Sequence, residues 1–336
     1  MKRVLIPAQL SRLPPPVPGG RMEHFGGATM GTTWSVRLVM PASLAPQAIL
    51  AGLEERLQRV VAQMSTWQAD SDLCRFNRAP AGSWMALPQE FSRVLEYALW
   101  LAQESGGAFD PCCGTLVDLW GFGPAPRGAA IPDPRRIAAA QARSGWNRIR
   151  LEPQTGHAWQ PGGSHLDLSA IAKGFAVDLL ALWLQEIGIH HYLVEVGGEL
   201  RGHGTKPDCQ PWWVELEQPP PAGPATAQCQ PTVVALHGLS VATSGDYRRF
   251  FEQGDRRYAH TIDPRSGYPV PHALASVSVL HAECMAADAL ATALMVLGAE
   301  QGLQLARRLE VAALFVERSA DGFRERMSPA LAAMLE

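Results

Sequence analysis

The sequence predicts a globular protein that combines α-helices with β-strands. Residues 48–64, and a second stretch from about Pro88 to the glycine at Gly106, carry apolar side chains at helical spacing, which predicts two amphipathic helices. Residues 34–40 alternate between polar and apolar side chains, and residues 192–196 and 274–280 are also strand-like. A chain of 336 residues is long enough for roughly two domains or one large one. The sequence contains no internal repeat.

The composition limits the classes of molecule that the protein is expected to bind. Hydrophobic residues make up 47% of the chain and charged residues 18%, which is typical of a globular protein with a sizeable core. A net charge of −3 without a long run of Lys or Arg argues against a nucleic-acid partner. The sequence shows no apolar stretch near the roughly 20 residues that a membrane span needs, so we expect none.

The N-terminal residues 1–22 are predicted to form an extended, proline-rich arm ahead of a domain at 23–336. Lys2 and Arg3 are followed by only three apolar residues before Pro7, too few for a secretory signal peptide. Six cysteines without C-x-x-C spacing favour reduced thiols. We therefore expect a cytoplasmic protein, or a periplasmic one if a leader precedes this sequence.

The most informative stretch is residues 284–298, which predict a buried helix that ends at Gly298. Asp288 and Thr292 interrupt its apolar surface, and their spacing of four residues puts them on one helix face. A buried carboxylate needs a positive partner. Two interpretations follow: a buried salt bridge with Thr292 bonded back to the carbonyl of Asp288, or a metal site that uses both side chains.

Three other stretches are candidate binding loops. Residues 26–33 hold three glycines and three threonines directly before a strand, which fits a ligand-binding loop or a tight turn. Trp67 lies in a polar loop, where it can stack on a planar ligand or cover the core. Residues 108–123 are rich in Gly, Pro and aromatic residues and predict an ordered but irregular loop.

Charged or titratable residues lie near the ends of two further predicted elements, a helix and a strand. Asp167 or Ser169 is predicted to cap a helix in which Lys173 occupies the first turn or two. A cation there favours an anionic partner such as phosphate, although the side chain can also extend into solvent. His260 and Asp263 follow a strand and precede a Pro/Gly turn, a position suited to an acid or base and equally to a structural histidine.

Nine short motifs carry a resemblance to a known family. In chain order they are T-M-G-T-T-W (29–34), M-S-T-W (64–67), F-D-P (109–111), L-W-G-F-G (119–123), D-L-S-A-I-A-K-G (167–174), E-V-G-G-E-L (195–200), A-T-S-G-D-Y (242–247), H-T-I-D-P-R-S-G-Y-P (260–269) and A-D-A-L-A-T (287–292). Their types and order resemble the ApbE family, the FAD:protein FMN transferases, over about residues 25–300.

The resemblance implies a fold and a reaction. The fold would be α+β and two-lobed, with mostly antiparallel sheets flanked by helices, similar to the T-fold, and with FAD in a central cleft. The reaction would be Mg²⁺-dependent transfer of FMN from FAD to a threonine hydroxyl of an acceptor flavoprotein, with release of AMP. The acceptor threonine would lie in a D-x-[ST]-[GAS]-A-T-like segment.

The resemblance also implies site residues. The flavin site would comprise Met30, Trp67, Ala108, Phe109, Asp110, Asp167, Lys173 and Ile262. The metal would be held by Asp288 and Thr292 and by the backbone carbonyls of Ala170 and Ala291. Some family members carry a second aspartate where this chain has Ala291, so we expect weaker metal binding here.

Catalysis needs a base for the threonine hydroxyl, and His260 is the candidate, with Asp263 as its orienting partner or as a substitute base. Two other functions remain open on the sequence. One is a pyrophosphatase that hydrolyses FAD to FMN and AMP, and the other is an FAD-binding protein without turnover.

Overall fold

The computed structural model of the protein describes residues 2–7, 13–124, 131–220, 229–254 and 256–335. Within these ranges the helices are α1 (Pro46–Met64), α2 (Asp72–Arg78), α3 (Gln89–Glu104), α4 (Gly114–Leu119), α5 (Pro134–Gln141), α6 (Ala172–Glu186), α7 (Cys284–Arg308) and α8 (Pro329–Ala332), with a 3₁₀ turn at Trp146–Arg148. The strands are β1 (Arg3–Leu5), β2 (Arg21–Thr29), β3 (Thr32–Met40), β4 (Ser83–Ala86), β5 (Arg150–Glu152), β6 (His157–Gln160), β7 (Tyr192–Val196), β8 (Glu199–His203), β9 (Trp212–Glu215), β10 (Thr232–Leu236), β11 (Leu239–Gly245), β12 (Phe250–Gln253), β13 (Arg256–Ala259), β14 (Ile262–Asp263), β15 (Tyr268–Pro269), β16 (Leu274–His281), β17 (Ala312–Ser319) and β18 (Gly322–Met327).

One large sheet organises the molecule. It has eight antiparallel strands in the order β18-β17-β16-β11-β8-β7-β3-β2. Its central strands β11 and β16 are buried along almost their whole length, because helices cover one face and a second apolar cluster covers the other. The fold is therefore α+β with mostly antiparallel sheets, as predicted.

Smaller sheets surround the large one. Strands β4, β6 and β5 form an antiparallel sheet, and β12–β13 and β14–β15 are two-stranded ribbons. The N-terminal β1 pairs in parallel with β10, and Leu5 is fully buried in the second apolar cluster. The first residues are thus attached to the fold as a strand, while the division into an arm and a domain stays a prediction.

Helices α6 and α7 pack against each other, and α7 lies on β11 and β16. Gly174 in the first turn of α6 makes this approach possible. A Cβ atom there would lie 2.8 Å from the Cβ of Asp288 and closer still to the carbonyl oxygen of Cys284. The start of α6 and the carboxylate of Asp288 are therefore brought together by the absence of a side chain.

Several predicted elements differ in the structure. Residues 26–33 are mostly strand, because β2 and β3 form a hairpin whose turn is only Met30 and Gly31, both with positive φ. Residues 114–119 of the predicted irregular loop are helix α4. Helix α2, strand β2 and strand β18 had no strong period and were not predicted.

The predicted stop of α7 at Gly298 is partly right. Gly298 has φ 74°, which breaks the helical geometry, but the chain then resumes a helix as far as Arg308. Because of this continuation, α7 is the one helix in the described ranges that is long and apolar enough to cross a membrane. Its apolar window is 67% buried inside the protein, as in a core helix. Residues 284–297 span about 21 Å at 1.5 Å per residue, short of the roughly 30 Å of a bilayer core.

Candidate active site

A cavity of about 380 Å³ opens between the β2–β3 turn, the start of α6, the first half of α7 and the segment that contains β14. Most of the predicted site residues line it: Met30, Ala108, Phe109, Asp110, Asp167, Ala170, Lys173, His260, Ile262, Asp288 and Thr292. Trp67 lies outside it and lines an adjoining cavity of about 740 Å³, which shares Met30 and Lys173 with the first. Ala291 is fully buried in α7, and neither cavity is lined by it or by Asp263.

Three charged side chains, Lys173, Glu199 and Asp288, form the group that we call the open cluster. Lys173 Nζ lies 2.7 Å from Glu199 Oε1 and 3.5 Å from Asp288 Oδ1. Burial disfavours the charge of Lys173, but the carboxylates of Asp288 and Glu199 outweigh this effect and raise its pKa. Burial also raises the pKa of Glu199 to about 7, against the opposing effect of Lys173. Lys173 is thus the positive partner that Asp288 was expected to have.

Asp288 has a second partner, since the backbone N–H of Gly174 donates to its Oδ2 at 3.0 Å. Thr292 Oγ1 lies 3.0 Å from Ser244 Oγ on β11. Carboxylate and hydroxyl oxygens of this kind are the hard donors that Mg²⁺ prefers, so the residues present fit that ion. Within the described ranges no three His, Cys, Asp or Glu side chains gather as a metal site. A cation here would rely on one carboxylate, a hydroxyl, backbone carbonyls and groups of the substrate.

The helix that carries Lys173 starts without a side-chain cap. Its N-cap is Ile171, and the prediction that Asp167 or Ser169 caps it is wrong. Asp167 instead accepts hydrogen bonds from the backbone N–H and the hydroxyl of Ser169, which stabilises the turn before the helix. The N–H of Ala172 at the start of α6 donates to the carbonyl of Leu168, and that of Gly174 donates to Asp288.

His260 follows β13 and borders the cavity. Its Nδ1 lies 3.0 Å from the carbonyl oxygen of Arg249. Because a carbonyl only accepts, Nδ1 carries the hydrogen and Nε2 keeps its lone pair. Burial lowers the pKa of His260 to about 4, although the bond to Arg249 opposes the shift. The ring is therefore neutral at pH 7 and able to accept a proton at Nε2.

Asp263 does not orient His260, which corrects the expectation from the sequence. Both of its carboxylate oxygens are engaged by the guanidinium of Arg265, at 2.9 Å from Nε and 2.9 Å from Nη2. The orienting group of His260 is the backbone of Arg249, which a sequence pattern does not reveal because a carbonyl belongs to every residue.

Two of the flavin-site candidates, Met30 and Asp110, are positioned by the backbone: the first by its turn conformation and the second by hydrogen bonds from backbone N–H groups. Met30 is at the β2–β3 turn with φ 50°, a left-handed conformation that is rare for a residue with a side chain. Asp110 accepts hydrogen bonds from the N–H groups of Cys112 at 2.7 Å and Trp146 at 3.1 Å. Burial raises the pKa of Asp110 to about 6. Trp67 is 65% exposed, which favours the ligand-stacking interpretation over a role in the core.

Several cavity residues were not singled out from the sequence, among them Glu199, Ser244, Arg248 and Arg249. Arg248 is held by both oxygens of Glu217, and its Nη1 donates to the carbonyl of Gly197 at 2.9 Å. The sequence held one signal that could have identified three of them. Ser244, Arg248 and Glu199 lie within or directly after two of the nine motifs.

A second charged pair lies farther along α6. Arg201 on β8 donates to the buried Asp178, which we call the closed pair. Asp178 also accepts the backbone N–H groups of Cys284 at 3.0 Å and Met285 at 2.8 Å. It therefore caps the start of α7 from the neighbouring helix and fixes the position of the helix that carries Asp288.

Comparison with known proteins decides the family. Residues 30–315 match the model of the ApbE family, which is most of the chain. The chain belongs to the ApbE family. This ApbE chain is 37% identical to the FAD:protein FMN transferase of Vibrio cholerae over 303 residues, covering 90% of this chain and 89% of that protein. It is 36% identical to the FAD:protein FMN transferase of Haemophilus influenzae over 322 residues, covering 94% of this chain and 92% of that protein.

Solved structures agree with this assignment. The apo form of the flavinyl transferase ApbE of Pseudomonas stutzeri superposes on this ApbE chain with a TM-score of 0.86 at 40% identity, covering 94% of this chain and 97% of that one. The flavin transferase ApbE of Vibrio cholerae gives a TM-score of 0.86 at 35% identity, covering 94% of this chain and all of that one.

Proposed function

We propose that this ApbE chain is an FAD:protein FMN transferase that uses Mg²⁺ and modifies a threonine hydroxyl. The observation that carries the proposal is the cavity in which Lys173, Asp288 and Thr292 meet His260. Such a cavity offers one cation, a pair of hard oxygen donors and a neutral base to the same ligand. The relatives named as FAD:protein FMN transferases support the reaction class.

The reaction is a phosphoryl transfer. The threonine oxygen forms a bond to the phosphorus of the FMN half, and the bond from that phosphorus to the bridging oxygen breaks. AMP leaves with the electron pair, and the threonine proton is transferred to a base. Such reactions depend on positioning and on neutralising the phosphate oxygens, both of which the protein can supply.

Asp288 and Thr292 would hold the Mg²⁺ ion together with the backbone carbonyl of Ala170, a residue that lines the same cavity. When bound, the ion supplies neutralising charge to the phosphate oxygens. Lys173 supplies a second positive charge, because the carboxylates of the open cluster raise its pKa and keep its amine protonated. Ala291 contributes no carboxylate, so Asp288 is the single acidic ligand of the proposed set.

His260 accepts the threonine proton at Nε2. Its Nδ1–H is held by the carbonyl of Arg249, so the tautomer with a free Nε2 is the stable one. The low pKa keeps the ring unprotonated at neutral pH, although it also makes the ring a modest base. Around the flavin, Met30, Phe109 and Asp110 line the cavity, and Trp67 offers a stacking surface in the adjoining one.

One experiment tests the function. The protein is incubated with FAD, Mg²⁺ and an acceptor protein that carries a D-x-[ST]-[GAS]-A-T-like segment, alongside an acceptor in which the threonine of that segment is replaced by alanine. We expect flavin fluorescence on the first acceptor in a denaturing gel and none on the second. AMP without labelling would mean an FAD pyrophosphatase, and neither product would mean an FAD-binding protein.

We further propose that the protein works in a reducing compartment, the cytoplasm. All six cysteines are free in the structure, and Cys112, Cys229 and Cys284 are buried. Burial raises the pKa of Cys284 well above its usual range, which keeps the thiol unreactive. Thiol titration of freshly isolated protein under denaturing, non-reducing conditions should therefore count six. Fewer than six would favour an oxidising compartment.

A further inference from the structure

Glu199 is a buried carboxylate for which the proposed reaction has no use. It is the first residue of β8 and follows Gly197 and Gly198, which both have positive φ and turn the chain sharply at the cavity. Its side chain is 3% exposed and contacts the ammonium of Lys173. A negative charge buried beside the place where phosphates are expected to bind is unfavourable for that binding unless it has another effect.

The distances in the open cluster show which carboxylate Lys173 contacts more closely. Lys173 Nζ is 0.8 Å closer to Glu199 than to Asp288, at 2.7 Å against 3.5 Å. Asp288 also accepts the N–H of Gly174, whereas Oε2 of Glu199 has no hydrogen-bond partner among the described residues. Among the described residues, the Glu199 carboxylate thus has one ion-pair partner, Lys173, whereas Asp288 contacts both Lys173 and the N–H of Gly174.

We propose that Glu199 is a positioning residue that holds the ammonium of Lys173 toward the cavity, so that Lys173 binds a phosphate while Asp288 stays free for a cation. The inference rests on the proposed function, because it takes the ligand to be the pyrophosphate of FAD. When Asp288 binds a cation, its charge no longer supports Lys173, and Glu199 alone offsets the repulsion between the two positive charges. Without Glu199, Lys173 pairs with Asp288 and is withdrawn from the ligand.

The proposed role predicts a change in FAD affinity opposite in sign to the change expected from the charge of Glu199 alone. Removing a negative charge beside an anion-binding site should tighten the binding of an anion. If Glu199 acts through Lys173, its neutralisation should instead weaken the binding of FAD. The sign of the change therefore separates a positioning role from a mere neighbouring charge.

The test is a double-mutant cycle on FAD affinity, measured by quenching of flavin fluorescence in Glu199→Gln, Lys173→Gln and the double variant. We expect Glu199→Gln to weaken FAD binding by about tenfold, the loss of roughly one charge-assisted contact. In the Lys173→Gln background the same substitution should cause no further weakening. Glu199→Asp, which keeps the charge, should bind FAD more tightly than Glu199→Gln.

The matched control is Glu195→Gln. Glu195 lies four residues earlier on β7 and bonds to Ser35 and Gly198 instead of Lys173, so its neutralisation should leave FAD affinity unchanged. Thermal unfolding of each variant separates loss of fold from loss of affinity, and Glu199→Asp keeps the test available if Glu199→Gln is unstable. Unchanged or tighter FAD binding by folded Glu199→Gln would overturn the role of Glu199 alone. Absence of FAD binding by the unsubstituted protein would overturn the proposed function itself.

Discussion

The open cluster and the closed pair are built from the same elements, α6, β8 and α7, yet they leave their charges in different states. In the closed pair, both oxygens of Asp178 are engaged, by Arg201 and by the N–H groups of Cys284 and Met285. In the open cluster, Oε2 of Glu199 lacks a partner among the described residues, and Lys173 borders the cavity. In the closed pair every carboxylate oxygen has a partner without a ligand, whereas in the open cluster one carboxylate oxygen has none among the described residues.

The difference distinguishes an ion pair with all its hydrogen bonds made from one that we propose to bind a ligand. A buried salt bridge and a ligand site were the two interpretations of a carboxylate on an apolar helix. Lys173 of the open cluster and Asp178 of the closed pair lie within two turns of each other on α6. A buried ion pair with all its hydrogen bonds made contributes to the position of its elements. A group that keeps spare hydrogen-bonding capacity in a cavity is a candidate for ligand binding. Substitutions in each of the two groups test this difference.

The largest effect on stability is expected at the closed pair. Asp178→Ala should lower the free energy of unfolding by about 3–5 kcal/mol, because it leaves Arg201 unpaired and two helix N–H groups without acceptors. Urea denaturation measures the change. Asp321→Ala, at the exposed turn between β17 and β18, serves as the control and should stay within about 0.5 kcal/mol. A folded Asp178→Ala protein of normal stability would show that the closed pair does not hold α7.

The open cluster should respond in activity rather than in stability. Asp288→Asn keeps an acceptor for the N–H of Gly174 but removes the charge, so it should lower the transfer rate by about 10²–10³-fold with less than about 1 kcal/mol of lost stability. Alanine is the poorer choice, because the structure gives Asp288 a protein partner besides the proposed ion. Rates are measured over a range of Mg²⁺ concentrations. Equal rates for both proteins at every concentration would remove Asp288 from the metal site.

A smaller effect is expected at His260, which belongs to neither group. His260→Ala should lower the transfer rate by about 10²-fold, the lower end for general bases, since a group with a low pKa is a weak base. Protonation removes the base, so kcat of the unsubstituted protein at saturating FAD should fall as the pH drops through about 4 rather than through the usual 6.5. Protonation of Glu199, whose pKa is about 7, should instead affect FAD affinity. His157→Ala on β6, outside the cavity, is the control. A pH–rate profile of His260→Ala with the same acid limb would assign the base elsewhere.

Much of the fold was readable from apolar periodicity. The helices α1 and α3 and the start of α7 were predicted because their buried faces repeat at helical spacing over many residues. The hairpin strand β2 was missed because Gly26 and Gly27 read as a loop, although in the structure they pair with β3. Short elements such as α2 carry too few residues for a period to emerge.

Most of the residues that line the cavity were predictable, but their contacts with one another were not. Trp67, Ala291 and Asp263 were predicted for the site and do not line this cavity. The motifs also did not say that Lys173 contacts Glu199 more closely than Asp288. They also suggested that Asp263 orients His260, when the nearby Arg265 takes its carboxylate and a backbone carbonyl orients the ring. Contacts between residues far apart in sequence, and contacts to the main chain, leave no mark in residue type.

Met30 lies at the tip of the β2–β3 hairpin, in a turn of two residues. Two-residue hairpin turns with positive φ favour Asn, Asp or Gly, and a methionine at φ 50° adopts a conformation of higher energy. Its side chain is partly buried and packs against the main apolar cluster, which offsets part of the cost of this conformation. That side chain borders both cavities. If FAD binds as proposed, the hairpin keeps a residue in a strained conformation for a ligand contact as well as for packing, which is a trade-off between stability and activity.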